Sequence, residues 1–290
     1  MKDQKLHTSQ RAGCNGHIAG RLSALPRPFL RWVGSKQALL PRLSAALPTE
    51  FGRYFEPFLG AGALFFHLKP TKALLSDASG DLIETWSAVR DDVATIAAHL
   101  RPLKPDKDLF YRIRDKRSDD KAIRAAEFLY LNKTCWNGLY RVNSQGKFNV
   151  PYGKPRSDFI FDEKNLRECS RVLSPPGVAI KNLDFVEAIR EAVAGDLVYL
   201  DPPYVTKHNN NGFRDWNEKL FSWADQIRLA EEAAALKDRS VKVIVSNADH
   251  RDVIDLYPGF KKLYFHRSST LSSNAAFRGS VGEVIMTANI

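Results

Sequence analysis

Apolar residues along the chain fall into short continuous runs and into longer segments with helical spacing, and the two kinds of segment alternate. A short strand is predicted to begin near residue 53, and continuous runs predict further strands at residues 72–77, 177–184, 196–200, 242–247, 261–266 and 282–287. Helical spacing predicts helices at residues 37–47, 88–100, 108–117, 121–131 and 223–237. The alternation predicts an α/β fold with a mainly parallel sheet that ends in an antiparallel hairpin.

The predicted helices concentrate in one part of the chain, residues 86–175, where few strands are predicted. We therefore expect a mostly helical module there, inserted between the two halves of a sheet domain formed by residues 27–85 and 176–290. Residues 1–26 mix lysine, arginine and glycine without periodicity, which indicates a flexible basic arm.

One predicted strand, residues 196–200, runs directly into Asp201-Pro202-Pro203-Tyr204. Proline has no N–H to continue a ladder, so the strand must end there. The Asp201 carboxylate and the Tyr204 ring then stand at the carboxyl end of a strand, where open α/β sheets bind ligands. The alternative is an ordinary proline turn after a core strand.

A glycine turn follows the first predicted strand, at Gly60-Ala61-Gly62. Glycines allow the backbone to approach a ligand closely, and the lack of a third glycine at the dinucleotide spacing favours a smaller ligand. Asp77 ends the next strand, where nucleotide-binding folds use an acid to accept from ribose hydroxyls. Asp77 could also cap the helix that begins around Asp81.

Two further segments carry candidate binding chemistry. Residues 29–36 end in Gly34-Ser35-Lys36, which predicts a tight turn with a lysine able to meet a carboxylate; the alternative is a plain helix start beside a packed Trp32. Residues 131–153 combine cations, amides, aromatics and glycines without an apolar period, a mixture that suits contacts in a DNA groove. The alternative is a packed loop with Trp136 and Phe148 in the core.

The charge composition of the chain indicates a polyanionic partner. Forty-three lysines and arginines against 33 acids give a net charge of +10 and a pI near 9.5. Three cysteines, far apart, fit neither a disulfide framework nor a zinc pattern, and no histidine cluster suggests a metal. No apolar run is long enough to span a membrane, so we expect a cytoplasmic protein.

Four stretches together carry a resemblance: Phe-Leu-Arg-Trp-Val-Gly-Ser-Lys at 29–36, Glu-Pro-Phe-Leu-Gly-Ala-Gly at 56–62, Asn-Gly-Leu-Tyr-Arg at 137–141 with Phe-Asn-Val-Pro at 148–151, and Asp-Pro-Pro-Tyr at 201–204. In this order the chain, from residue 28 to residue 288, resembles the Dam-type (D12 class, alpha group) DNA adenine-N6 methyltransferases. The resemblance implies a Rossmann-like S-adenosylmethionine-dependent methyltransferase sheet with an inserted, mostly helical DNA-recognition domain.

The resemblance also implies roles for individual residues. Asp201 and the Pro202 carbonyl are expected to accept from the target amino group while Tyr204 stacks on the flipped base. Asp184 is expected near the adenine of S-adenosyl-L-methionine and Asp77 on its ribose. The full expected cofactor set is Trp32, Lys36, Phe58, Gly60, Gly62, Asp77, Asp184 and Asp201. The expected DNA-contacting set is Arg31, Lys133, Trp136, Asn137, Leu139, Arg141, Asn143 and Pro151.

Within the DNA-contacting set, Trp136 takes the place of an aromatic that intercalates beside the flipped base. Arg31, Leu139, Arg141 and Pro151 match positions that read Gly-Ala-Thr-Cys sites in the family. We therefore expect methylation of adenine in double-stranded DNA at a GATC-like site. The partners expected are DNA and, in a restriction system, a cognate endonuclease; the enzyme is expected to be a monomer.

Other functions remain open at this stage. The same chemistry could act on RNA adenine or on the exocyclic amine of DNA cytosine. A binding protein that had lost catalysis would be expected to carry a damaged motif, and both glycine and aspartate motifs are intact. A carbon-methylating enzyme would need a cysteine nucleophile near a proline, which the sequence lacks. Residues 209–213 are predicted to form a mobile polar loop able to close over the DNA or the flipped base. Residues 268–274 are predicted to form a polar loop that contacts phosphate.

Overall fold

The computed structural model describes residues 26–158, 160–205, 221–268 and 280–290. Their strands form one seven-stranded sheet with the order β3-β2-β1-β4-β5-β7-β6. The strands are β1 (Tyr54–Glu56), β2 (Ala73–Asp77), β3 (Val178–Asn182), β4 (Leu197–Leu200), β5 (Lys242–Ala248), β6 (Lys261–Ser268) and β7 (Ser280–Ala288). The predicted basic arm, the 209–213 loop and nearly all of the 268–274 loop lie outside the described residues.

The first five strands pair in parallel, and β7 pairs antiparallel to both β5 and β6. This confirms the predicted α/β fold and its terminal hairpin. The order β3-β2-β1-β4-β5 is that of a doubly wound sheet. The connections that leave β1 and β4 run to opposite sides, so a crevice opens between their carboxyl ends.

Ten α-helices occur in the described ranges: α1 (Leu40–Ala45), α2 (Ala63–Leu68), α3 (Gly80–Asp91), α4 (Val93–Leu100), α5 (Lys107–Asp115), α6 (Lys121–Thr134), α7 (Glu163–Leu173), α8 (Phe185–Ile189), α9 (Trp223–Asp238) and α10 (Arg251–Ile254). Short 3₁₀ turns cover Lys36–Leu39 and Trp136–Gly138. Helix α9 starts with a capping box in which Ser222 and Asp225 satisfy each other's backbone N–H groups.

The sheet is covered on both faces, which explains why its strands are continuous apolar runs. On one face α8 and α9 pack through Ile189, Leu229 and Leu236 against Val198 and Val243. On the other face a second cluster extends from the sheet into the helical segment of residues 93–173. The helical segment therefore shares its core with the sheet.

Two helix predictions were wrong in detail. The predicted helix at 88–100 is interrupted at Asp92, whose φ of −145° is not helical and whose side chain accepts from Thr95 N at 3.1 Å. Asp92 thus caps α4 rather than continuing α3. The predicted helix at 37–47 is a 3₁₀ turn followed by the short α1, with Pro41 in its first turn, where no intrahelical N–H is needed.

Candidate active site

A cleft of about 790 Å³ lies at the carboxyl ends of β1, β2 and β4. It opens at the crevice that the strand order creates. Every predicted catalytic and cofactor-binding residue lines it: Trp32, Lys36, Phe58, Gly60, Gly62, Asp77, Asp184, Asp201, Pro202 and Tyr204. The aspartate motif and the glycine turn therefore face a single cavity.

Asp201 and Lys36 form the ion pair at the centre of the cleft. Lys36 Nζ lies 2.7 Å from Asp201 Oδ1, donates to the Gly34 carbonyl at 2.8 Å, and sits 4.7 Å from the centre of the Tyr204 ring. The Tyr204 hydroxyl is 3.3 Å from Ser246 Oγ on β5. These contacts hold the carboxylate and the ring of the aspartate motif in fixed positions.

Lys36 is held as a cation although its side chain is only 7% exposed. Burial by itself lowers the pKa of Lys36, but the Asp201 carboxylate and Tyr204 together raise it above its ordinary value. The 29–36 segment makes this possible because Ser35 N bonds to the Trp32 carbonyl and closes a tight turn at Gly34, whose φ is +83°.

The glycine turn and Asp77 form the opposite wall. Asp77 Oδ2 accepts from Gly60 N and Oδ1 accepts from Ser79 N, both at 3.0 Å. The pKa of Asp77 is raised overall, because burial raises it by more than these backbone hydrogen bonds lower it. A Cβ on Gly60 would lie 2.8 Å from the Trp32 ring, so this glycine lets the indole form the wall. Asp77 does not cap α3, because Ser79 occupies that position.

An aromatic corner forms the far end of the cleft. Phe58 stacks on Phe185 with centroids 5.5 Å apart, and Phe221 packs edge-on against Phe58 and at a tilt against Phe185. Asp184 caps α8, while its Oδ2 accepts from Arg228 at 2.8 Å. The Arg228 guanidinium also lies 4.4 Å from the centre of the Phe185 ring. A flat, polar-edged ring fits this corner.

Glu56 lies in the floor of the cleft and is 3% exposed. Its Oε2 accepts from the Tyr54 hydroxyl at 2.9 Å. Burial is the main cause that raises the pKa of Glu56 to about 8, and the negative charge of Asp201 adds to it, against hydrogen bonds from Tyr54 and Phe65 N. This carboxyl is therefore mostly protonated at neutral pH.

A second groove, of about 830 Å³, adjoins the cleft and shares residues 32–35 with it. It brings together Arg31, Lys133 and Asn137, three of the predicted DNA-contacting residues. Burial and the neighbouring Arg31 cation lower the pKa of Lys133. Two adjacent cations in a groove match the phosphate backbone of a nucleic acid.

The backbone of Arg31 is fixed by a buried amide. Asn132 Oδ1 accepts from Arg31 N at 2.9 Å, and Asn132 Nδ2 donates to the Arg31 carbonyl at 2.8 Å. Gly138 packs so closely against the Arg31 side chain that a Cβ at position 138 would lie 2.7 Å from Arg31 atoms. Arg31 therefore projects from a rigid base.

The remaining predicted DNA contacts lie on a hairpin and its flanks. Residues 139–150 fold back through a bridge between Val142 and Phe148. Arg141 is exposed and bonds to Asn149 Oδ1 at 2.7 Å, whereas Asn143 Oδ1 accepts two backbone N–H groups of the hairpin turn. The other positions, Leu139 and Pro151, are half-buried and exposed respectively.

Trp136 is 44% exposed and is therefore not part of the core, contrary to the packed-loop alternative. Asn137 beside it has a φ of +54°, which turns the chain sharply behind the indole. Phe148 is half-buried and packs on Tyr140 with centroids 6.0 Å apart. The loop thus anchors one aromatic ring and leaves the other at the surface.

Several residues of the cleft were not assigned roles from the sequence. Glu56 begins the motif of residues 56–62, but the motif does not indicate that this side chain is buried. Arg228, Phe185 and Tyr140 come from distant segments, and only their polar or aromatic character hinted at a site. No periodicity or spacing links them to the aspartate motif.

Within the described ranges, no group of three or more His, Cys, Asp and Glu side chains is arranged to hold a metal ion. Among the helices of the same ranges, none combines the length and apolarity of a membrane span.

Comparisons with known proteins identify the family. A family profile described as D12 class N6 adenine-specific DNA methyltransferase matches residues 32–270. The type II methyltransferase M1.LlaDCHI of Lactococcus lactis subsp. cremoris is 35% identical over 269 residues, covering 90% of this chain and 95% of that protein. M.MjaIII of Methanocaldococcus jannaschii, also a type II methyltransferase, is 35% identical over 258 residues, which are 81% of this chain and 89% of the relative.

The DNA adenine methylase of Escherichia coli strain K12 is 30% identical over 265 residues, covering 89% of this chain and 94% of that enzyme. The resemblance drawn from the sequence motifs is thereby confirmed. The chain belongs to the D12 class of N6 adenine-specific DNA methyltransferases.

Proposed function

We propose that the cleft binds S-adenosyl-L-methionine and that Asp201 directs the amino group of a flipped adenine toward it, at a GATC-like site in duplex DNA. The observation that carries the proposal is the convergence of Asp201, Lys36 and the Gly60–Gly62 turn on one cavity. D12 enzymes are methyltransferases, and S-adenosyl-L-methionine supplies an electrophilic methyl group when bound.

The residues of the cleft fit this cofactor. The cleft has a volume of about 790 Å³, which is within the range of small-molecule sites. The absent side chain of Gly60 leaves room for the Trp32 wall, and the Asp77 carboxylate, held by two backbone N–H groups, has lone pairs left for a ribose diol. Phe58, Phe185 and Asp184 form a corner suited to a purine ring.

Asp201 and Pro202 act on the amino group. The adenine nitrogen lone pair is delocalised into the ring, so the nitrogen must become tetrahedral before it attacks. The Asp201 carboxylate and the Pro202 carbonyl accept from its two hydrogens and favour the positive charge that develops there. Bound in the cleft, S-adenosyl-L-methionine would supply the methyl group and leave as the neutral thioether, and the methylated nitrogen would release one proton through Asp201 toward solvent.

Lys36 and Tyr204 position these groups. The Lys36 ammonium keeps the Asp201 carboxylate ionised and fixed, since the pair is 2.7 Å apart in a nearly dry site. The Tyr204 ring, anchored at Ser246, offers a face on which the base stacks. Because the amino group is paired within a duplex, the adenine must first leave the helix.

The groove and hairpin beside the cleft are proposed to bind the duplex. Arg31 and Lys133 contribute positive charge, the exposed Trp136 is placed to enter the space left by the adenine, and Arg141 reads a base edge. Asn137, Leu139, Asn143 and Pro151 complete this surface.

The test is tritium transfer from labelled S-adenosyl-L-methionine to duplexes that carry GATC, a one-base variant of it, or no adenine target. The same assay with single-stranded RNA and with a cytosine-only duplex tests the alternative amines. We expect transfer to the GATC duplex alone, lost by at least about 1,000-fold in Asp201→Ala. The control is Asp238→Asn at the exposed end of α9.

Equal methylation of the one-base variant would reject the proposed site, and methylation of RNA in place of DNA would reject the substrate. Mapping the modified adenine by modification-sensitive sequencing identifies the true site.

We further propose that the enzyme acts as a monomer in the cytoplasm and protects its site from a cognate endonuclease; two of its relatives are named type II methyltransferases. Sedimentation of the free enzyme and resistance of methylated DNA to that endonuclease test these points.

A further inference from the structure

Tyr140 lies in the hairpin of residues 139–150 and also lines the cleft. Its neighbours in sequence, Leu139 and Arg141, are residues proposed to contact DNA. One side chain thus joins the wall of the cofactor site to the backbone of the DNA-reading segment.

The ring of Tyr140 is packed on the cofactor side against Trp32. The two ring centroids lie 5.2 Å apart with an angle of 24° between the ring planes, and the Trp32 ring also lies close to Gly60. Phe128 and Phe148 pack on Tyr140 at 5.6 and 6.0 Å. Contacts from Trp32 to Tyr140 and from Tyr140 to Phe148 therefore connect the glycine turn with the hairpin.

The hydroxyl of Tyr140 reaches the loop that carries Asp77. It donates to Asp81 Oδ2 at 3.2 Å, four residues after Asp77, and contacts the side chain of Ser79, two residues after Asp77. Asp81 Oδ2 is also 3.2 Å from Arg117 Nη1, which fixes the acceptor. Burial and the nearby Asp81 charge raise the pKa of Tyr140, so the hydroxyl keeps its proton and acts as the donor.

We propose that Tyr140 couples the two binding sites, so that a ligand in the cleft strengthens DNA binding through the hairpin. The inference rests on the proposed function. A ligand that contacts Trp32 and Asp77 restrains the two groups on which Tyr140 rests, and the hairpin is then held where Leu139 and Arg141 face the duplex. Linkage requires the effect to be reciprocal, so bound DNA strengthens cofactor binding by the same factor.

The experiment measures duplex affinity by fluorescence anisotropy with and without saturating S-adenosylhomocysteine, a non-reactive probe. The quantity compared is the ratio of the two dissociation constants, which cancels any direct effect of a variant on DNA affinity. We expect a ratio of at least about fivefold in the wild type. Tyr140→Phe should at least halve it, and Tyr140→Ala should bring it close to 1.

Tyr130→Phe is the matched control, because the Tyr130 hydroxyl also bonds within the helical segment, to Asp106 N at 3.0 Å, but does not line the cleft. It should keep the wild-type ratio. A wild-type ratio of 1, or an unchanged ratio in both Tyr140 variants, would overturn the inference while the methyltransferase activity stands. If Tyr140→Ala does not fold, Tyr140→Phe decides. Failure of the wild type to bind either probe would instead reject the proposed function.

Discussion

Lys36 Nζ and Asp201 Oδ1 lie 2.7 Å apart, although one residue begins a 3₁₀ turn near the start of the described chain and the other follows a central strand. Both side chains are largely withdrawn from solvent, at 7% and 15% exposure. Removal of one partner of such a pair leaves the other charge buried and poorly compensated. The pair therefore fixes the orientation of the carboxylate that is proposed to accept from the substrate.

Replacement of Lys36 by glutamine should lower kcat for DNA methylation by roughly 10- to 100-fold, because an isolated buried carboxylate binds a proton more readily. The loss should be larger at pH 6 than at pH 9, since high pH restores the ionised acid. Single-turnover rates across this pH range measure the effect. Lys72→Gln, at an exposed lysine, is the control. A loss that is equal at every pH would contradict this role for Lys36.

Glu56 should make the folded protein less stable at alkaline pH. Its pKa rises from 4.5 to about 8 on folding, so its contribution is fully present below pH 4.5 and is lost as the pH rises through about 8. Each pKa unit corresponds to about 1.4 kcal/mol, so the change amounts to several kcal/mol. Glu56→Gln, which mimics the protonated acid, should remove this dependence.

Urea denaturation of wild type and Glu56→Gln at pH 6 and pH 9 measures the difference. Glu231→Gln, on the exposed side of α9, should behave as wild type. If Glu56→Gln lost stability with pH as steeply as wild type does, the buried carboxyl would not be the cause.

Gly60→Ala should weaken cofactor binding by about 10-fold and cost roughly 1–3 kcal/mol of stability. Gly60 has a φ of +44°, and a Cβ there would lie 2.8 Å from Trp32 Cδ1, so the indole must leave its place in the wall. Gly195→Ala is a matched control, because Gly195 has a φ of +86° with nothing within 4 Å of its Cβ position. It should lose about 1 kcal/mol from strain alone and keep wild-type cofactor affinity, as measured by calorimetry.

Arg228→Gln should raise the KM for S-adenosyl-L-methionine by about three- to tenfold with little change in kcat. The guanidinium holds Asp184 at 2.8 Å and covers the Phe185 ring, so its loss frees the corner proposed for the adenine. Steady-state kinetics with saturating DNA separates the two constants. Arg251→Gln, at a side chain that is 91% exposed, should change neither. A fall in kcat alone would place Arg228 in another role.

The sequence determined the strands and the positions of the two motifs that end them. Continuous apolar runs report burial on both faces, and β4 is indeed buried at all four residues. Prolines at 202 and 203 end a ladder wherever the strand lies, and glycines at 60 and 62 permit the positive φ of a tight turn. These features depend only on neighbours along the chain.

Tertiary structure alone decided which distant groups met at those strand ends. The break at Asp92, by contrast, is local, because the Asp92 side chain caps the next helix at Thr95 N, a choice that apolar periodicity does not report. Arg228 reached Asp184 across 44 positions, and Tyr140 reached Asp81 across 59, through helix packing on either side of the sheet. The raised pKa of Glu56 depends on the burial that the whole fold imposes, so no local pattern could reveal it.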